Sequence, residues 1–209
     1  MSKIKLSYFD MDGGRGETTR IALSMAGLDW QDDRIAFADF AGMRAATPLN
    51  AVPVLQINGG VYTQSNAMNR YFGKQAGLYP DDPWQAFLCD EVLEAMEDVA
   101  HYTVRTFGLE GDALKAARKK LVDETFTRYL KFLDRRLADA GGDYFAGGRL
   151  SVADLRVFMW LRSLRSGILD HVPADLADKL APKLVDHMQR IAAEPSVVKY
   201  YASRQTRTA

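Results

Sequence analysis

The hydrophobic repeat of this chain changes period near residue 80, and that change constrains the fold more than any other feature. Before it, short alternating runs trade places with short helical ones. Residues 3–9 (Lys-Ile-Lys-Leu-Ser-Tyr-Phe) and 29–35 read as strands, and 15–27 as a helix stopped by Gly27. Residues 53–57 and Val61-Tyr62-Thr63 flank Asn58-Gly59, the strongest short hairpin signal, and 65–76 reads as a helix. The order β-α-β-(α)-β-β-α suits a small mixed sheet with helices packed on it. Leu78–Pro83, with two prolines and two aspartates, reads as a linker. Beyond it apolar residues recur every three or four positions: Phe87, Leu88, Val92, Ala95, Met96 and Val99 in 84–108, then Leu114, Ala117, Leu121, Phe126, Leu130, Leu133 and Leu137 in 112–140. Gly141-Gly142 stops that helix, and Ser151 with Asp154 has capping-box spacing. Shorter helices are expected in 174–203, broken near Pro182 and Pro195, with 204–209 fraying. The pattern predicts an α/β domain over 1–77 and an all-α helical domain over 84–209, and 209 residues suffice for both.

Charge and composition narrow the partners. Lys and Arg number 27 and Asp and Glu 27, so no basic surface dominates and nucleic acid is not an expected partner. No apolar run approaches the roughly 20 residues of a membrane helix, and the chain begins in strand-like sequence, so neither a membrane partner nor a secretory leader is expected. The single cysteine, Cys89, excludes an intramolecular disulfide and suits a reducing, cytoplasmic setting.

Several residues of the first third can carry chemistry, and each also has an ordinary structural role. Tyr8 ends a strand; its hydroxyl serves either as a rim group with a local partner or as a donor that lowers the pKa of a bound thiol. Arg15 opens a helical pattern and is either a surface cation or positive charge beside the same sulfur. Val52-Pro53 is either a trans proline starting a strand or a cis bond that turns the Val52 N–H and C=O toward an extended peptide. Gln64-Ser65 precedes a helix; Ser65 is an N-cap candidate, and the same hydroxyl and helix N–H groups make a carboxylate site. His101, His171 and His187 have no metal-ligand spacing and read as surface or cap residues. Cys89 reads as a small core residue.

Taken together, Tyr8-Phe9, Gly14-Arg15-Gly16-Glu17, Ala38-Asp39-Phe40, Arg44, Pro48, Val52-Pro53 and Gln64-Ser65-Asn66-Ala67 resemble a cytosolic glutathione transferase of the sigma type, the group of the haematopoietic prostaglandin D synthases and S-crystallins. Asn69-Arg70-Tyr71 and the segment from Phe145 to Asp154 are similar to the family as well. The resemblance implies a thioredoxin-like first domain, without that fold's Cys-x-x-Cys pair, followed by a helical domain. It implies Tyr8 as thiol activator and Arg15 as support for the thiolate or its loop. It implies Arg44 on the glycine carboxylate of glutathione, Val52 beside Pro53 on the cysteinyl backbone, and Gln64 and Ser65 on the γ-glutamyl end. It also implies a homodimer in which Asp98, one helical turn from Glu94, reaches the γ-glutamyl ammonium bound in the partner subunit. No metal is expected. Tyr102 and Arg105 are candidates for the pocket of a small hydrophobic electrophile.

Three departures stand out. The Tyr8-to-Arg15 segment is one residue longer than the usual sigma spacing. Phe40 stands where a tryptophan donates to the glycine carboxylate, and Ala51 where a lysine does. The expected function is conjugation of glutathione, the co-substrate, to hydrophobic electrophiles, as in detoxification. Glutathione-dependent isomerisation or peroxide reduction on the same site, and a non-catalytic crystallin-like or ligand-binding role, are the alternatives.

Overall fold

The computed structural model describes residues 4–205. Its first unit is built on a four-stranded sheet in the order β2-β1-β3-β4. β1 (Ile4–Phe9) runs parallel to β2 (Trp30–Ile35) and antiparallel to β3 (Val54–Ile57), which pairs antiparallel with β4 (Gly60–Tyr62). Helices α1 (Glu17–Met25), α2 (Phe37–Met43) and α3 (Ser65–Gln75) complete a thioredoxin-like domain, as expected. Asn58 and Gly59 both take positive φ, 53° and 78°, as a tight β3–β4 turn of the primed type requires. Leu6, Ile21, Leu23 and Phe72 are fully buried between sheet and helices, and the Thr19 hydroxyl donates to Asn69 Oδ1 at 2.7 Å, tying α1 to α3.

By packing, the chain forms two units: residues up to Tyr79 together with the segment from Pro195, and Pro80–Glu194. The periodicity assigned 84–209 to one helical domain; α10 (Pro195–Gln205) instead groups with the first unit, where it packs on α1. Fraying was expected for 204–209. Residues 206–209 lie outside the described part, whereas Arg204 is helical and bonded.

The second unit consists of α4 (Pro83–Val104), α5 (Gly111–Lys120), α6 (Thr127–Asp139), α7 (Val152–Arg165), α8 (Leu176–Leu180) and α9 (Pro182–Ala193). Asp82 caps α4 by accepting from the Gln85 N–H at 2.9 Å, with Pro83 in the first helical position where no donor is needed. The single helix expected over 112–140 is divided by a π-helical stretch, Leu121–Phe126. Leu121 and Phe126 are both buried and five residues apart, a spacing that puts them on one face only if the turn widens. The Thr127 hydroxyl donates to the Val122 carbonyl five residues back, at 2.8 Å.

α7 is buried along nearly its whole length, and its first turn is organised by Asp154. That carboxylate, fully buried, accepts from the Ser151 N–H (2.8 Å), the Ser151 hydroxyl (2.5 Å) and the Phe145 N–H (2.9 Å), and Oδ1 lies 2.9 Å from His187 Nε2. The capping box is therefore present, as the spacing predicted. His187, read as a surface or cap residue, is a buried partner of Asp154 instead, because α9 turns it inward toward a carboxylate that water cannot reach. Cys89 is buried, and burial pushes its thiol up to about 12, so it serves as packing and not as a nucleophile. Asp154→Ala strands these donors in the core and is expected to lower the unfolding free energy by more than about 3 kcal/mol, against about 1 kcal/mol for Ser151→Ala, read by urea denaturation.

Candidate active site

Tyr8 sits near the end of β1, buried, with its ring over a turn made by Gly14, Arg15 and Gly16. The turn must come this close to an aromatic ring. A Cβ on Gly16 would stand 2.5 Å from the ring carbons, and one on Gly14 (φ +66°) would overlap the hydroxyl. The result is a hydrogen bond from the Arg15 N–H to the Tyr8 hydroxyl oxygen, 2.9 Å long. Arg15 was read as opening the helix; it lies in the turn just ahead, α1 begins at Glu17, and the group Arg15 turns to Tyr8 is its backbone amide. A phenol oxygen that accepts from a backbone donor keeps its single proton to give elsewhere.

Around Tyr8 lies an apolar cluster of Ile35, Val52 and Val54, with Phe9, Met11, Phe40 and Met43 packed against it. Phe40, on α2, meets the Phe9 ring edge-to-face at 5.0 Å between centroids, and Phe37 stacks on Phe9 at 4.4 Å. Phe40 is thus a packing residue with no polar atom to offer. Arg44 lies just beyond α2, exposed, and its Nε donates to the Asn50 carbonyl at 3.0 Å, which bridges the Arg44–Asn50 loop and leaves the two Nη groups for a ligand. Leu49 and Asn50 in that loop both have positive φ.

The Val52-Pro53 bond is cis. Pairing of β1 with β3 ends at Ser7–Val54, so the Val52 N–H and C=O lie beyond the ladder. Gln64, not Ser65, is the N-cap of α3; Ser65 is the first helical residue and is buried. Gln64 has φ 74° and ψ 99°, an uncommon conformation for a residue with a side chain that costs about 1–3 kcal/mol. Such outliers concentrate at binding sites, and here it precedes an 11-residue helix whose first N–H groups favour an anion.

The remaining candidates belong to the second unit. Asp98, exposed on α4, accepts from the Tyr129 hydroxyl at 2.9 Å. Burial and this bond push the Tyr129 hydroxyl up to about 12, so it remains a donor to Asp98 at neutral pH. Tyr102 is exposed near the end of α4, with the Arg105 guanidinium 5.9 Å from its ring centroid. No group of three or more His, Cys, Asp or Glu side chains is arranged to hold a metal ion among the described residues, and no helix there is long and apolar enough to cross a membrane.

A buried charge network beside Tyr8 was not anticipated. Glu17 is fully buried; its Oε2 accepts from Arg20 Nη1 at 3.1 Å, and its Oε1 from the Tyr200 hydroxyl and Arg204 Nη1, each at 3.0 Å. Burial raises the Glu17 pKa, and the Arg20 and Arg204 charges oppose that shift. Arg20 also donates from Nε to Asp32 at 2.8 Å and to the carbonyls of Met11 and Phe9, with its guanidinium 5.6 Å from the Tyr8 ring centroid. The signal for one part was present in the chain: Glu17 and Arg20, three residues apart, are opposite charges on one face of a helix. Nothing local pointed to Tyr200 or Arg204.

Known proteins are similar to this chain in sequence and fold. The family model for the glutathione S-transferase N-terminal domain matches residues 9–80, and that for the glutathione S-transferase C-terminal domain matches 97–204. Glutathione S-transferase 1 of Ascaris suum is 30% identical over 209 residues, covering 98% of each chain. The haematopoietic prostaglandin D synthase of Gallus gallus is 29% identical over 204 residues, again covering 98% of each. Among solved structures, prostaglandin synthase D of Nilaparvata lugens superposes with a TM-score of 0.84 at 27% identity, over 97% of this chain and 98% of the other. With both family models placed on the two halves of the fold, the chain belongs to the glutathione S-transferases, of the sigma-like type.

Proposed function

We propose that this glutathione S-transferase conjugates glutathione to small hydrophobic electrophiles, with Tyr8 as the group that ionises the thiol. The observation that carries this reading is the 2.9 Å bond from the Arg15 N–H to the Tyr8 hydroxyl. It occupies the acceptor side of the phenol and leaves its proton to donate. A free thiol has a pKa of about 8.5 and is mostly neutral at pH 7; a donor aimed at the thiolate favours the anion. The Arg15 cation and the N-terminal end of α1 act in the same sense. Glutathione supplies the sulfur nucleophile, and the protein's part is to ionise and position it.

The rest of the peptide finds complementary groups in the same unit. The Val52 N–H and C=O, beyond the strand ladder, suit the extended cysteinyl backbone. Gln64, Ser65 and the start of α3 suit the γ-glutamyl carboxylate. Arg44, through its Nη groups, takes the glycine carboxylate, with Phe40 and Ala51 offering it nothing. Tyr102 and Arg105, an exposed aromatic face with a cation 5.9 Å from its centroid at the end of α4, suit a hydrophobic electrophile.

The working form is a homodimer, and Asp98 reaches the γ-glutamyl ammonium in the partner subunit. Two exposed apolar surfaces support a second copy: Val61, Tyr62 and Tyr71 on the first unit, and Trp84 stacked on Phe87 on the second, all more than half exposed in the single chain. With one buried cysteine and a detoxifying role, the enzyme works in the cytoplasm.

Tyr8→Phe should lower kcat for a chlorinated nitrobenzene at least tenfold and raise the pKa of the bound thiol, read from thiolate absorbance, while the calorimetric Kd for glutathione stays within about threefold. Arg44→Ala should weaken glutathione binding about tenfold or more, the loss of one charge-assisted bond worth about 1.5–3 kcal/mol; a Kd that does not move places the glycine carboxylate elsewhere. Sedimentation at micromolar concentration should give twice the 23.3 kDa chain mass, and a monomer would remove Asp98 from the partner's site.

A further inference from the structure

The turn that feeds the Arg15 N–H to Tyr8 is short, glycine-rich and bracketed by two acidic residues, Asp12 before it and Glu17 after it. Glycines remove steric resistance to the required geometry, but they also leave the turn free to take others. Something must hold it. Both brackets are held by one side chain from the far end of the sequence. Arg204 Nη1 donates to Glu17 Oε1 at 3.0 Å, and Arg204 Nη2 pairs with Asp12. The Tyr200 hydroxyl, one helical turn earlier on α10, donates to the same Glu17 oxygen. Glu17 cannot turn to solvent, because its side chain is fully buried and Arg20 holds its other oxygen. Among the described residues Asp12 also pairs with Arg34 Nη1 at 3.5 Å, and Arg34 is itself engaged by Asp32 and Asp10. A guanidinium is a planar fork with five donors, so one arginine can reach two carboxylates with two different nitrogens, whereas an ammonium must serve both from a single nitrogen.

We infer that Arg204, with Tyr200, is a positioning element for Tyr8: by bridging Asp12 and Glu17 it holds the Gly14–Gly16 turn so that the Arg15 N–H stays on the phenol oxygen and the phenol proton points outward. The inference rests on the Tyr8 reading proposed above. Arg204 touches neither the phenol nor a substrate; it acts through the turn. It follows that the end of the chain, about 190 positions from the turn, takes part in setting the reactivity of the bound thiol.

The test compares Arg204→Ala, Arg204→Lys, Tyr8→Phe and the Arg204→Ala/Tyr8→Phe double variant of the full chain. Arg165→Ala, on α7, serves as a charge-matched control. Thiolate absorbance of bound glutathione is titrated against pH, kcat and KM for a chlorinated nitrobenzene are separated, and exchange of the Arg15 amide proton is followed by NMR. Arg204→Ala should raise the bound thiol pKa by about half a unit, a threefold loss of thiolate below that pKa. It should lower kcat at pH 6.5 by a similar factor with the KM for glutathione little changed, and speed Arg15 amide exchange at least tenfold. Arg204→Lys should recover only part of each effect. In the Tyr8→Phe background Arg204→Ala should shift the thiol pKa no further, because the two act in series. A thiol pKa that moves in Tyr8→Phe but not in Arg204→Ala overturns the positioning role and leaves the Tyr8 reading standing. No movement in Tyr8→Phe overturns both. If Arg204→Ala fails to fold, Arg204→Lys carries the same comparison. A loss of urea stability in either variant with thiol pKa and Arg15 exchange unchanged makes the bridge structural only and refutes the proposal.

Discussion

A carboxylate without access to water sits at the start of α1, and much of the first unit is arranged to satisfy it. An ionised group left alone in such a place costs several kcal/mol, so Glu17 requires partners, and the partners it has are drawn from two places in the chain. Arg20 comes from one turn along the same helix and in its turn reaches the β1 end through the carbonyls of Phe9 and Met11 and β2 through Asp32. Tyr200 and Arg204 come from α10 and bring the final helix onto α1. One buried acid therefore links the strand that carries Tyr8, the turn that faces it, and α10.

The polar groups next to this network are to a large extent backbone. The donor on the Tyr8 oxygen is an amide, the groups beyond the β1–β3 ladder are the N–H and C=O of Val52, and the anion-favouring end of α3 is a set of helix N–H groups. Side chains in these positions mostly shape the path of the chain: Gly14 and Gly16 admit the phenol ring, and Phe40 fills the apolar cluster beside it. A site of this kind tolerates wide variation in sequence provided the turns survive, which agrees with relatives near 30% identity that still share the whole fold.

Legibility in the sequence followed the range of the interactions. The β3–β4 hairpin was readable because Asn58-Gly59 meets its turn's requirement for positive φ within two residues, and the α7 cap because Ser151 and Asp154 answer each other across one turn. The division of 112–140 by a π turn was not readable as such, although the five-residue step from Leu121 to Phe126 is its trace: periodicity counts apolar positions, and a single widened turn alters only one step. His187 was misread because a histidine's neighbours on its own helix do not reveal that Asp154, 33 positions earlier, waits on another.

The sequence by itself determined the two kinds of secondary structure and the family, because each of these depends on local period, turn preference or residue type. Only the tertiary structure decided that Arg15 turns its amide to the Tyr8 hydroxyl, that Gln64 rather than Ser65 is the N-cap residue of α3 with a positive φ, and that the last helix packs with the first unit. These outcomes were settled by the close approach of a glycine turn to an aromatic ring and by the need of one buried carboxylate for partners, and both conditions exist only once distant segments of the chain have come together.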